Sequence, residues 1–228
     1  MRLDKFLADM SFGTRKEVKE IIKKKRVQIN GNIITKADYK VSLDDEIYVD
    51  DDLIEYVEYE YIVLNKPQDY VCALEDRYYP VIMELVDTIR KDLVPVGRLD
   101  VDTEGLILIT NDGQMNHKLL SPKSHVDKTY YVEVDAPIPA DAQEIFSQPM
   151  DLDDFITQPA KLEVLSETSA NLTISEGKFH QVKRMFEKVG CTVTYLRRDK
   201  FGPLTLGDLE LGESRYLTED EISTLQNL

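Results

Sequence analysis

The 228-residue chain has only two cysteines, Cys72 and Cys191, and three histidines, His117, His125 and His180. The cysteines stand far apart and belong to no C-x-x-C pair. This argues against a disulfide framework or a zinc knuckle and leaves them as small buried hydrophobes of a reducing compartment. With so few thiol and imidazole donors, no metal site is expected. No apolar run approaches the roughly 18 residues that a membrane span needs. The start, MRLDKFLADM, alternates charge with apolar residues where a signal peptide would be continuously apolar. A cytoplasmic protein with no membrane association is expected. The chain also lacks a Gly-rich phosphate loop or Walker motif, so nucleotide-driven phosphoryl transfer has no support. Internal repeats and low-complexity tracts are missing as well.

What is present is enough apolar residue, 42%, for a sizeable core in one large domain or a small and a medium one. The formal charge of −15 argues at first against a polyanionic partner. Its distribution does not. Residues 1–40 hold eleven Lys and Arg against five acids, and residues 41–60 hold none against nine. A second basic stretch, Ile174 to Lys200, has seven against three, while Asp135 to Glu167 has one against eight. Two basic islands on an acidic body suit a directed anionic ligand, with the acidic remainder repelling polyanions elsewhere.

Leu3, Phe6, Leu7 and Met10 recur at helical spacing. Thr14 and Glu17 then form a T-x-x-E capping box, and Val18, Ile21 and Ile22 give a second helix its apolar face. The rest of that segment is basic: Arg15, Lys16, Lys19, Lys23, Lys24, Lys25 and Arg26. A charge run is usually a solvated face, but in so acidic a chain phosphate binding is the better reading, with Arg15, Lys16, Lys19, Lys23 and Lys24 as candidate phosphate contacts. VQINGNII follows, two short apolar stretches joined by Asn30-Gly31, a strong hairpin signal. DDEIYVDDDLIEYVEYE reads as a last strand and a linker, with a boundary near Glu58 to Tyr61. Beyond it YIVLNKP, LILIT, KTYYVEV, AKLEVL and ANLTI read as strands, and Val81 to Lys91 and Gln181 to Val189 as helices. Strands outnumber helices without regular alternation. The fold class is α+β with a mixed, largely antiparallel sheet.

In GRLDVDTEGLILITNDG, residues 97–113, Asp100, Asp102, Glu104 and Asp112 surround the apolar run Leu106 to Ile109. The spacing matches the first half of a calcium loop, but the twelfth position is Asn111 rather than a bidentate Glu. Capping of backbone N–H groups before a buried strand suits Asp102, Glu104 and Asp112. It does not account for Arg98 and Leu99 beside Asp100. A carboxylate at the mouth of a core strand, two residues from an arginine, is a candidate nucleophile or base.

These stretches resemble the ribosomal small-subunit type of pseudouridine synthases over nearly the whole chain. MRLDKFLA, the basic helix and RVQINGNII are similar to a small RNA-binding domain of the ribosomal-protein-S-four type. LNKPQDYVCA, GRLDVDTEGLILITNDG, SPKSHVDKTYYVEV and SEGKFHQVKRMFEKVG are similar to the successive catalytic motifs. LNKPQDYVCA and ITQPAKLEVL bring the likeness closest to the branch acting on 16S ribosomal RNA. The resemblance implies an RNA-binding domain at 1–59 and a catalytic domain at 60–228, and cofactor-free isomerisation of one uridine in small-subunit rRNA. By it Asp100 is the catalytic aspartate, Tyr130 the active-site tyrosine, and Lys183 the basic partner of the aspartate. Many relatives outside this branch have arginine at that last place, and lysine gives up the bidentate fork. Arg98 joins Tyr130 and Lys183 as substrate-binding. The resemblance implies ribosomal RNA as partner, 16S in a partly assembled small subunit, met by a monomer. Two alternatives stay open, a non-catalytic ribosome-assembly factor and a synthase acting on 23S rRNA. The residues alone do not choose between attack by Asp100 at the anomeric carbon and removal of the ribose 2′ proton.

Overall fold

The computed structural model describes residues 1–42 and 44–228. The chain divides into two units, Met1–Glu60 with Asp87–Leu93, and Tyr61–Val86 with Val94–Leu228.

The first unit begins with α1 (Leu3–Asp9) and α2 (Arg15–Lys23). The spacing expected to bury one face of each helix does so: Leu3, Phe6, Leu7, Met10, Val18 and Ile22 share a core. Thr14 accepts from the Glu17 backbone, and the Glu17 carboxylate accepts from the Thr14 backbone, so the capping box is formed. The strands β1 (Val27–Ile29), β2 (Asn32–Ile33), β3 (Ile47–Val49) and β4 (Asp52–Leu53) make an antiparallel sheet in the order β2-β1-β3-β4. Asn30 and Gly31, at φ 49° and 76°, turn the first hairpin with the positive angles that a two-residue loop demands. The acidic segment expected to hold one strand holds two, because Asp50 and Asp51 also take positive φ, 52° and 72°, and reverse the chain.

The second unit is built on a nine-stranded sheet of β5 (Tyr61–Lys66), β6 (Val94–Pro95), β7 (Glu104–Thr110), β8 (Lys128–Val134), β9 (Lys161–Ser166), β10 (Ser169–Ile174), β11 (Val193–Phe201), β12 (Leu204–Thr205) and β13 (Ser214–Tyr216). Its main path runs β13-β5-β7-β11-β8-β10-β9, and among its pairings only β7 with β11 is parallel. This is the mixed, largely antiparallel sheet of an α+β fold. β5 and β7 are buried along their whole length, through the apolar runs Tyr61–Leu64 and Leu106–Ile109 and also at the polar Asn65, Lys66, Glu104 and Thr110. Leu106, Leu108, Met115, Leu119, Phe201 and Leu225 are part of the core on one side. Four helices accompany the sheet: α3 (Gly113–Leu120), α4 (Ala142–Phe146), α5 (Gln181–Lys188) and α6 (Glu219–Gln226). Among the described residues no helix is long and apolar enough to cross a membrane.

The helix expected over Val81 to Lys91 is not there. Only Ile82–Leu85 form one 3-10 turn, after which Val86 is extended and Asp87–Leu93 leave to join the first unit. The Glu60 carboxylate accepts from the backbone of Ile89 at 3.1 Å and of Arg90 at 2.6 Å, and this side-chain anchor replaces the hydrogen bonds a helix would have made.

Candidate active site

Between β6 and β7 the chain makes the loop that carries Arg98, Leu99, Asp100 and Asp102, and its shape is set from beneath by one lysine. Lys66, at the end of β5, is fully buried. Its ammonium donates to the carbonyl oxygens of Pro67 and Asp100 at 3.0 Å, Thr103 at 2.8 Å and Val101 at 3.4 Å. Burial pushes its pKa below the usual lysine value. Leu99 points inward and its N–H meets the buried Cys72 Sγ at 3.3 Å, while the Thr103 N–H closes a turn on the Asp100 carbonyl at 3.1 Å. Held in this way, Asp100 presents a one-third exposed carboxylate at the start of a wholly buried strand.

Two basic side chains face that carboxylate, and both come from around α5. Lys183 Nζ lies 3.3 Å from Asp100 Oδ2, and His180 Nε2 lies 3.5 Å from the same oxygen. Lys183 binds Asp102 more closely, at 2.7 and 2.9 Å, and so bridges the two aspartates. Burial raises the Asp102 carboxyl, but the ion pair with Lys183 outweighs it and leaves the pKa below normal. His180 takes left-handed backbone angles just before α5 and stacks on the exposed Phe179 ring at 3.8 Å.

Asp100, Arg98, Tyr130 and Lys183 line one cavity of about 740 Å³, wholly within the second unit. That volume suits a drug-sized or nucleoside-sized group. Apolar walls come from Leu119, Ile174, Leu196 and Phe201. Tyr130 is buried in β8, on the strand face shared with Lys128 and Val132, whereas Tyr131 faces the other way and donates to Glu133. Arg98 is exposed, and among the described residues it makes no ion pair with Asp100. The arginine expected beside the aspartate is therefore not its charge partner. Leu99 is turned into the core, Arg98 points to solvent, and Lys183 and His180 take its place at the carboxylate.

The other acids of the stretch serve different ends. Asp112 caps α3 by accepting from Gln114 and Met115 at 3.0 Å, and Tyr61 donates to it at 2.7 Å. Glu104 is buried in β7 and accepts from the Tyr195 hydroxyl at 2.5 Å. Gly105, at φ 105°, lies so close to the parallel strand that a Cβ would fall within 3 Å of Arg198 backbone atoms, which only glycine avoids.

The sequence reading missed Lys66, Lys128 and Arg198. A lysine in an apolar strand reads as a strand end, and no local pattern shows that carbonyls converge on it. For Arg198 a signal existed: β11 alternates, and Leu196 and Arg198 share a face. In the first unit Arg15, Lys16, Lys19, Lys23 and Lys24 are all exposed, and among the described residues none is in an ion pair.

Comparison with known proteins bears on both units. Residues 60–188 match the family model of RNA pseudouridylate synthase, and residues 1–47 match that of the S4 domain. The chain is 44% identical over 230 residues to ribosomal small subunit pseudouridine synthase A of Haemophilus influenzae, with 99% of each chain covered. It is 41% identical to the enzyme of the same description from Escherichia coli K12, covering 99% of this chain and 100% of the other. A solved structure described as a pseudouridylate synthase superposes with a TM-score of 0.70 at 43% identity and covers 99% of both chains. By these matches the chain belongs to the RNA pseudouridylate synthase family.

Proposed function

We propose that this protein converts one uridine of 16S ribosomal RNA to pseudouridine, acting as a cytoplasmic monomer on a partly assembled small subunit, with residues 1–59 as RNA anchor and 60–228 as catalyst. The observation that carries the reading is the Asp100 carboxylate, held by the Lys66-clamped loop at the wall of a nucleoside-sized cavity and bridged by Lys183. Relatives of over 40% identity along nearly the full chain, described as acting on the ribosomal small subunit, support the substrate.

The reaction consumes nothing and needs no cofactor. Asp100 attacks the anomeric carbon or takes the ribose 2′ proton; either route breaks the C1′–N1 bond and expels the uracil ring with the electron pair. The ring turns and C5 bonds to C1′, displacing the Asp100 carboxylate from C1′ in the first route or adding across the C1′–C2′ double bond as C2′ regains its proton in the second; the C5 proton is then lost and N1 regains one. Tyr130 packs against the extruded base, which an enzyme working on a paired nucleotide must take out of its stack. Lys183 and His180 fix the direction in which Asp100 points. Arg98, exposed and beside Asp100, contacts the RNA, and the basic face of α2 binds phosphates.

The test is to incubate the protein with unmodified 16S rRNA, bare and in a ribonucleoprotein particle, and to map pseudouridine by carbodiimide-stop sequencing. One new stop on either substrate is expected. Binding without any stop would point to an assembly factor, and a stop on 23S rRNA alone would move the substrate.

A further inference from the structure

Two buried cations on the cavity wall take no part in the machinery around Asp100. Arg198, 2% exposed, stands on β11 opposite Tyr130 in the β8 register and lines the cavity. Its Nε donates to the Leu106 carbonyl at 2.8 Å, but its Nη2, also buried, has no hydrogen-bond partner. Lys128, 8% exposed, lies two residues before Tyr130 on the same strand face, and its ammonium donates to the Val126 carbonyl at 2.7 Å. Both cations sit over one ring, Arg198 Cζ at 5.2 Å and Lys128 Nζ at 5.4 Å from the Phe201 centroid. Among the described residues neither forms an ion pair; Asp127 and Glu176 act on Lys128 only through space.

Two neighbouring buried like charges with no acid between them cost stability. Such a local breach of the pairing rule belongs to binding sites. Arginine and lysine offer donors only, so the ligand must present acceptors or negative charge to this wall. Uracil presents O2 and O4, two carbonyl acceptors. Cytosine carries an amino group at C4, and a donor would meet a donor, leaving buried groups unpaired. When the C1′–N1 bond breaks, the released electron pair spreads from N1 onto O2 and O4, so the same two oxygens gain negative charge. The half-turn about the N3–C6 axis that brings C5 to C1′ exchanges O2 with O4, and so a pair of donors matches the ring before and after it.

We propose that Arg198 and Lys128 receive the carbonyl oxygens of the target base, select uracil over cytosine, and stabilise the uracil anion while it turns. The inference rests on the reading of this cavity as the isomerisation site. It assigns the pair to the base and not to a backbone phosphate.

The experiment uses nucleosides, which carry no phosphate, so that selection is read without turnover. Binding of uridine and cytidine is followed by saturation-transfer NMR on the full-length protein, Lys128→Met and Arg198→Lys, each checked for folding by thermal melting. The unsubstituted protein should retain uridine at least about tenfold better than cytidine, and both variants should bring the ratio to within about threefold. In single turnover on 16S rRNA, Lys128→Met should slow isomerisation by about 10²-fold with RNA affinity within twofold, as loss of a donor to developing charge does. If Arg198→Lys does not fold, Lys128→Met decides. Equal or absent binding of the two nucleosides by the unsubstituted protein would overturn the proposal. So would competition by inorganic phosphate that depends on Lys128 while the uridine preference does not, or a Lys128→Met variant unchanged in both preference and rate. A Lys128-dependent uridine preference in a protein that isomerises no RNA would instead sink the proposed function and the anion-stabilising role, and leave only the selection of uracil standing.

Discussion

Helix α2 and the cavity both concentrate positive charge, but they hold it in opposite ways. On α2 the charges of Arg15, Lys16, Lys19 and Lys23 stand in solvent and, among the described residues, in no ion pair, and the one acid of the first turn, Glu17, is folded back onto Thr14. In the cavity unit Lys66 is spent on four backbone carbonyls, Lys183 on two carboxylates, and Arg198 and Lys128 are sealed against an aromatic ring. Exposed charge acts at a distance of a Debye length, is screened by salt, and is indifferent to the sequence of a polyanion. Buried charge acts only on the group that touches it. In the function proposed above, the first region serves affinity to any phosphate array and the second serves chemistry on a single nucleotide.

The sharpest test of that division is Asp100→Asn. The exchange keeps size and hydrogen-bonding reach but removes the charge, so the isomerisation rate should fall by at least about 10⁴-fold, as loss of a nucleophile or base does. RNA affinity, measured by filter binding, should stay within about twofold; a parallel collapse of binding would make the two regions one. The complementary experiment reverses charge on α2. Lys19→Glu with Lys23→Glu and Lys24→Glu should weaken RNA binding by about 10²-fold and lower the slope of log affinity against log salt by about two to three. The single-turnover rate at saturating protein should not change. A fall in that rate would mean that α2 orients the substrate as well as holding it.

Inside the cavity the comparison continues between the ammonium of Lys183 and a guanidinium in its place. Lys183→Met leaves Asp100 and Asp102 facing each other without their bridge, and should lower the rate by about tenfold to a hundredfold. Lys183→Arg restores the positive charge and should recover most of it. If Lys183→Arg is as slow as Lys183→Met, the compact ammonium that meets both aspartates at once is what matters, not the charge.

How far the sequence foretold these arrangements differs between the regions, and the reason is physical. α1, α2 and the Asn30-Gly31 hairpin rest on contacts within a few residues, and their spacing, capping box and turn chemistry were legible. β5 and β7 were legible from their apolar runs, Tyr61–Leu64 and Leu106–Ile109, as strands buried on both faces are. The Asp100 loop could be located but not its supports. Lys183 was named only through the family resemblance; it, Lys66 and His180 lie far from the loop in the chain, and burial of a long basic side chain is an outcome of tertiary packing that no local pattern encodes. The same holds for Val81 to Lys91, where the apolar spacing suggested a helix. There the Glu60 carboxylate, distant in sequence, captures the backbone of Ile89 and Arg90.

The smallest effect separates two copies of one local motif. Thr14 with Glu17 and Thr218 with Glu221 are both capping boxes, yet only Glu221 also meets an arginine, Arg215, in two bonds of 2.8 Å. The hydrogen-bonded Arg215 guanidinium is the main reason that the Glu221 carboxyl is pushed down to about 2. A carboxyl with a depressed folded pKa binds its proton more readily in the unfolded chain. Its contribution is therefore complete above the ordinary glutamate value of about 4.3, and is lost as the pH falls from there towards the folded value. Glu221→Gln should cost on the order of 1 kcal/mol at pH 7 in urea unfolding, because part of the ion pair is screened by solvent. The cost should shrink steadily as the pH is lowered from about 5 towards 2. Glu17→Gln should cost less and show a weaker pH dependence, since Glu17 is held only by Thr14 and is fully exposed. Equal costs with equal pH profiles would mean that the backbone cap alone, and not the neighbouring arginine, sets what the motif contributes.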